Sequence, residues 1–291
     1  MSGEPTSRSA LVTIAAGRHD HLRRQIEGVD ALDLRPALHV IVSMGDAELP
    51  RVVAECRPRC ETRVVPLDAG PSLPLAAARN LGAEVARAAG ADLLILLDVD
   101  CIPHPRLTID YADALRTLQE TGHREPVVVC GQIWYLPELP PGQAPTPDRW
   151  EELGTEHPVR VSPPAGELIQ GDVNLLWSLN FAMSTTDWVR VGGFDEAYLG
   201  YGGEDTDFGH RLAAAGGTMW WYGGGWVAHQ YHSSEDPPVR HLRSIVTNAN
   251  LFHERWGSYP MGGWLAAFRE QGLARFDGGR WQVVADPDER P

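Results

Sequence analysis

Asp98 and Asp100 stand two apart at the end of an aliphatic run, LLILL at 93–97, and Pro103 interrupts the chain three residues after Asp100. Carboxylate oxygens are hard ligands for Mg²⁺ or Mn²⁺, and such ions commonly bridge to phosphate oxygens. A second acidic group, Glu204, Asp205 and Asp207, comes directly after Tyr201 and the glycine pair Gly202-Gly203. A carboxylate at the amino end of a helix is held as an anion by the helix dipole, so it can accept a proton from a hydroxyl placed against it. Glu204 and Asp207, three apart, share a helix face, while Asp205 points elsewhere. Acids also cap helices routinely, but capping employs one or two of them and gives no reason for the glycines. His229 closes the apolar run GWVAH and His232 follows at H-x-x-H spacing. Imidazole is a good ligand for Mn²⁺ or Zn²⁺. A strand-end histidine is equally an ordinary hydrogen-bonding group; it gains chemical meaning only where the fold brings it to Asp98 and Asp100.

The elements that must position these residues are legible as alternating patterns. ALVTIAA at 10–16, LHVIVSM at 38–44 and TRVVPL at 62–67 are apolar runs of strand length, and HLRRQIEGVDAL between the first two has helical spacing. PLAAARNLGAEVARAA, 74–89, predicts an Ala-rich helix with Pro74 at its first turn and Gly90 past its end. The strand ending at Asp98 comes next, then VVVCG at 127–131. Strands alternating with helices imply βαβ units and a mostly parallel sheet, with ligand chemistry at the carboxyl ends of the strands. The proline-rich LPELPPGQAPTPD, 136–148, reads as an exposed irregular loop. Beyond it the sequence predicts strands at 178–184, 218–222 and 225–229, a short helix after Thr185, and a helix at 204–215 stopped by Gly216-Gly217. An amphipathic helix at 239–256 and another near 263–271 close the chain. Most of the ten tryptophans, Trp256 and Trp264 among them, read as packing residues that fasten the tail to the sheet.

The chain has 291 residues, room for one large domain with an appendage. The expected division is a polar tail at 1–9, one α/β unit at 10–235 and a helical extension at 236–291 packed on it. A formal charge of −14 argues against a nucleic-acid surface. No apolar run reaches the roughly 18–20 residues that span a bilayer, and the first nine lack the apolar core of a secretory signal. Cys56, Cys60, Cys101 and Cys130 have neither metal-finger nor disulfide-framework spacing. Free thiols in a cytoplasmic protein are the expectation.

Together these pieces resemble the GT-A glycosyltransferases, nearest to the beta-1,4-galactosyltransferase branch and related bacterial family 2 enzymes. GRHDHL, 17–22, is similar to the arginine-containing stretch after the first strand, and LAAARNLGAEVA, 75–86, to the helix before the metal strand. DVDCIP resembles the D-V-D-x-x-P stretch, and NFAMS a strand lining the donor sugar. GGFDEAYLGYGGEDTDFGHRL, 192–212, resembles the G-F-x-x-x-x-W-G-W-G-G-E-D-D-D segment and is the most specific match. The resemblance implies a GT-A fold: an α/β structure with a mostly parallel central sheet flanked by helices and a C-terminal helical extension. It implies Arg18, Asp46, Arg79, Asp98 and Asp100 for a nucleotide-sugar donor, a UDP-sugar first among the options. Asp100, His229 and His232 would hold a divalent Mn²⁺ or Mg²⁺, Asp205 would be the catalytic base, and Tyr201, Gly203 and Glu204 would meet a carbohydrate or glycoconjugate acceptor. Arg79 and Asn80 read equally as surface residues of a helix. Three departures stand out. Trp226 occupies the place of a family methionine ligand, Tyr201 that of a tryptophan that packs against sugars, and Thr206 the place of an acid.

The implied activity is an inverting transfer of a hexose from a nucleotide diphosphate sugar to a hydroxyl. Two rivals remain at this level. A sugar-1-phosphate nucleotidyltransferase would carry a glycine-rich loop after the first strand, where IAAGRHDH has one glycine. A catalytically inactive carbohydrate- or nucleotide-sugar-binding protein would have little reason to keep Asp98, Asp100, Glu204, Asp205 and His229 together.

Overall fold

Apolar runs separated by helical segments become parallel neighbours in the sheet, because a crossover helix returns the chain to the same edge. The computed structural model describes residues 8–140 and 146–284. In chain order the first half consists of β1 (Ser9–Ala15), α1 (His19–Asp30), β2 (Leu38–Met44), α2 (Leu49–Cys56), β3 (Thr62–Leu67), α3 (Leu75–Ala88), β4 (Leu93–Leu97), β5 (Cys101–Pro103), α4 (Leu107–Glu120), β6 (Val127–Cys130) and β7 (Ile133–Tyr135). The second half adds α5 (Trp150–Leu153), β8 (Leu168–Gln170), β9 (Asn180–Ser184), α6 (Thr185–Val191), α7 (Glu204–Ala214), β10 (Thr218–Tyr222), β11 (Val227–His229), α8 (Leu242–Trp256), α9 (Gly262–Glu270), β12 (Ala274–Asp277) and β13 (Arg280–Val283).

The main sheet has eight strands in the order β3-β2-β1-β4-β9-β6-β10-β8. β3, β2, β1 and β4 pair in parallel, as do β6 and β10. β9 runs against both β4 and β6, and β8 against β10. Consequently β1, β2, β4, β6 and β10 all end at one edge. β1, β2 and β4 are buried at every position, as strands covered by helices on both faces must be. A second sheet, β5-β11-β7, stands beside that edge.

The expected α/β sheet and its helices are present, with differences that have local causes. Ser9 opens β1 and is buried, one residue ahead of the expected boundary; residues 1–7 of the expected tail lie outside the described residues. The proline-rich stretch contains a 3-10 turn at Pro147–Arg149, started by a proline whose φ already suits it, while 141–145 lie outside the described residues. The extension is not purely helical: β12 and β13 form a hairpin around Gly278-Gly279. The long closing helix begins at Leu242, after a 3-10 turn at Val239–His241. All four cysteines are free thiols. No helix among the described residues is long and apolar enough to cross a membrane.

Candidate active site

Asp98 and Asp100 occupy a tight turn between β4 and β5, closed by the Cys101 N–H donating to Asp98 O at 2.9 Å. A buried polar chain fixes that turn from below. Gln25 Nε2 donates to the carbonyls of Asp98 and Cys101 at 2.7 and 3.0 Å, and Gln25 Oε1 accepts from Thr13 Oγ1 at 3.0 Å. Thr13 Oγ1 also lies 3.1 Å from His39 Nε2. A hydroxyl has one proton, already given to Gln25, so Nε2 of His39 is the donor and its Nδ1 stays without a partner. Nothing in the residue types of Thr13, Gln25 and His39 marked them beforehand; they are polar residues on buried faces, visible only once the sheet is assembled.

β11 pairs antiparallel with β5 so that His229 faces Cys101, which puts the imidazole next to Asp100. Gln230 then anchors the following segment. Its N–H donates to Asp100 O at 2.7 Å, its Nε2 to His21 O at 3.1 Å, and its Oε1 accepts from Arg24 Nε. That anchoring turns His232 back toward the same carboxylate. His229 Nε2 lies 3.6 Å from Asp100 Oδ1, and His232 Nε2 lies 3.5 Å from Asp100 Oδ2. One ligand atom from each of the three lies within 4.8 Å of the others. Trp226, at the place of the family methionine, stacks on Trp134 at 5.0 Å between ring centres instead.

Arg18 adopts a left-handed backbone (φ 51°) before α1, and its Nη1 donates to Asp100 Oδ2 at 2.7 Å. Asp46, at the end of β2, accepts from the Gly17 N–H and from His19 Nε2, each at 2.8 Å. Burial would raise the Asp46 carboxyl, but the His19 and backbone hydrogen bonds hold it below its ordinary value. Arg18 and Asp46 therefore sit together at the carboxyl ends of β1 and β2.

Arg79 is not a surface residue; it is 5% exposed and lies between the two acidic clusters. Its Nη2 is 3.4 Å from Asp98 Oδ1, while its Nη1 is 3.3 Å from Glu204 Oε1 and 3.7 Å from Asp205 Oδ1. One guanidinium therefore ties the β4 turn to the amino end of α7. Its Nη groups are committed to carboxylates rather than free for a nucleotide. Burial, with Asp205 beside it, pushes the Glu204 carboxyl up to about 7 against the pull of Arg79. Burial and the neighbouring acids likewise raise Asp98 to about 6. Glu204 Oε2 is buried without a partner.

Asp205 is gripped by Ser178, which donates its N–H to Oδ2 at 3.0 Å and its hydroxyl to Oδ1. Ser178 precedes β9 and was not among the expected site residues; a lone serine before a strand carries no signal. Gly203, in a left-handed conformation (φ 91°), makes the sharp entry into α7 that a side chain would strain. Asp207 takes a different part from its neighbours. Buried, it accepts from Tyr198 Oη at 3.1 Å and Trp256 Nε1 at 2.8 Å, which fastens α8 to α7. Tyr201 is 41% exposed, with its ring stacked on His241 at 4.7 Å and 5.8 Å from Trp264. The tail thus contributes an aromatic wall next to Glu204.

The donor set of Asp100, His229 and His232 suits a divalent ion of the Mn²⁺ or Zn²⁺ kind. The acids Asp98, Asp100, Glu204 and Asp205 crowd around the guanidiniums of Arg18 and Arg79, and burial together with that crowding is what raises Asp98 and Glu204. Such a site repels a phosphate and attracts a cation.

Comparison with known proteins bears on the fold and on the segment around Asp205. Residues 169–233 match a family described as the N-terminal domain of galactosyltransferase. Validoxylamine A glucosyltransferase from Streptomyces hygroscopicus subsp. jinggangensis is 36% identical over 76 residues, 26% of this chain and 18% of that protein. Among solved structures, S. aureus TarS 1-349 in complex with UDP superposes with a TM-score of 0.58 at 11% identity, over 91% of this chain and 78% of that one. GalNAc-T7 with UDP, GalNAc and Mn²⁺ gives 0.55 at 15% identity, over 93% and 58%. The chain has the GT-A fold of these glycosyltransferases.

Proposed function

We propose that this protein transfers a hexose from a nucleotide diphosphate sugar, a UDP-sugar first, to an acceptor hydroxyl with inversion and with help from a divalent cation. One observation carries the reading: Arg79 joins Asp98 to Glu204 and Asp205, so both acidic clusters border one site, with Asp100, His229 and His232 alongside. The glucosyltransferase activity in the names of the Streptomyces relatives, and the UDP and Mn²⁺ in the neighbouring structures, support the same chemistry.

In this account Asp100, His229 and His232 would hold the ion, which would supply positive charge against the departing diphosphate, and Arg18 and Asp46 would face the nucleotide. Asp205 takes the proton of the acceptor hydroxyl on the far face of the sugar. Ser178 fixes the carboxylate by two hydrogen bonds, and Arg79 fixes its distance from the donor side. General-base assistance of this kind contributes on the order of 10²–10⁴-fold. Tyr201, Gly203 and Glu204 line the acceptor side, where the aromatic faces of Tyr201 and Trp264 suit the CH faces of a sugar. Residues 10–235 form the transferase unit, and 236–284 brace its acceptor side.

The test is calorimetric titration with UDP in the presence and absence of Mn²⁺. Wild type should bind UDP tightly only with the metal, and Asp100→Ala should lose at least about tenfold of that affinity. UDP affinity indifferent to Mn²⁺, or undiminished in Asp100→Ala, would count against the assignment.

A further inference from the structure

Arg160 lies in the irregular segment between α5 and β8 and is 8% exposed. Its Nη2 donates to Gly131 O at 3.1 Å. Its guanidinium carbon lies 4.6 Å from the Trp221 ring centre and 5.5 Å from that of Trp177. Its Nε and Nη1 are buried with no acceptor. The ionisable groups that act on it most are neutral at physiological pH: Cys130, Tyr135, Tyr111 and Cys101. A guanidinium stays charged, and cation–π contact with two indoles offsets only part of the loss of water. A buried cation of this kind is strongly unfavourable until an anion joins it.

Its position says where that anion comes from. Gly131 follows the end of β6, Trp221 belongs to the end of β10, and Trp177 precedes Ser178, which holds Asp205. β6 and β10 end at the same edge as β4, which presents Asp98 and Asp100. From β4 to β6 is two strand spacings, about 10 Å. Arg160 therefore lies at the ligand edge, held by groups other than those that hold Arg18 and Asp100. Its link to the base runs through Trp177, the neighbour of Ser178.

We propose that Arg160 receives an anionic group, a carboxylate or phosphate, carried by one of the two sugars, so that the enzyme selects an acidic sugar at or next to the reacting centre. The inference rests on the transferase reading above and adds a substrate class to it. The planar fork of arginine suits two-point binding of either group; the unpartnered Nε and Nη1 lie on different edges of the fork, and each edge is completed by Nη2, which has a second proton beyond the one given to Gly131 O.

The experiment uses the full chain with Mn²⁺ and two sets of calorimetric titrations. The donor set is UDP, UDP-glucose and UDP-glucuronate. The acceptor set, at saturating UDP, is glucose, glucuronate and glucose 6-phosphate. In one set the acidic member should bind at least about tenfold tighter than its neutral twin. The responding set identifies which sugar carries the anion. Arg160→Met should abolish that preference while UDP affinity stays within about twofold, and Arg160→Lys should keep part of it. Equal binding of acidic and neutral sugars by a wild type that binds UDP, or a preference that survives in Arg160→Met, overturns the proposal. Failure of wild type to bind UDP at all overturns the transferase reading itself, and the proposal with it. Thermal melts verify that each variant is folded; if Arg160→Met does not fold, the wild-type preference and its partial retention in Arg160→Lys decide.

Discussion

Arg79 and His39 illustrate how single buried side chains set the site. Arg79 draws three carboxylates toward one guanidinium, while burial pushes Glu204 and Asp98 upward. His39 anchors the polar chain that runs through Thr13 and Gln25 to the Asp98 turn. Burial alone pushes its imidazole down to about 3 from an ordinary 6.5. The unfolded chain therefore binds a proton between those two pH values that the folded chain does not. Its contribution to stability is full above pH 6.5 and is lost as pH falls toward 3. The limiting slope for one proton is about 1.4 kcal/mol per pH unit. Denaturant melts of His39→Gln should show a shallower loss of stability between pH 6.5 and about pH 5 than wild type. Equal slopes would remove His39 from the acid-side balance.

At the scale of elements, α7 carries Asp205, the proposed base, and its seat depends on close approach. A Cβ on Gly209 would come 2.2 Å from Val173 O, a backbone atom that cannot swing aside. Gly209→Ala should cost about 1–3 kcal/mol, read as a lowered denaturant midpoint with unchanged slope. An unshifted midpoint would mean that the segment around Val173 yields freely. The sequence signals for these elements varied with their length and surroundings. β1, β2 and β4 were legible because each is an apolar run, as strands buried on both faces must be; β10, half-buried at Thr218 and Trp220, was legible from its aromatic run. β5, β7 and β8, three residues each, are too short to show a period. α4 was overlooked although Leu107, Tyr111, Ala114, Leu115 and Leu118 recur at helical spacing on its buried face. The hairpin of β12 and β13 was overlooked although Ala274, Phe276, Trp281 and Val283 alternate with polar residues on either side of Gly278-Gly279.

Across the whole molecule, the tail reaches back to brace the acidic loop. Asn248 in α8 donates to Leu199 O at 3.1 Å and Gly202 O at 2.7 Å, and Arg255 pairs with Asp195 at 2.5 Å. Asn248→Ala leaves two carbonyls without a donor, a loss of about 1–3 kcal/mol. Thermal melts should shift downward, and acceptor-dependent turnover should fall while UDP affinity holds; an unchanged melting temperature would contradict the bracing role. The convergence of Asp100, His229 and His232 was expected from family likeness and not from spacing, because only the β5–β11 pairing and the Gln230 anchor explain it. Ser178 and Arg160 were invisible for the opposite reason. Both lie in irregular segments where no period marks a side chain as buried.

The most direct measurement is turnover of a UDP-sugar with Mn²⁺ by Asp205→Asn beside its UDP affinity. Asparagine keeps the shape but cannot take the acceptor's proton, so turnover should fall on the order of 10²-fold or more with binding nearly intact. Turnover at the wild-type rate would contradict the account.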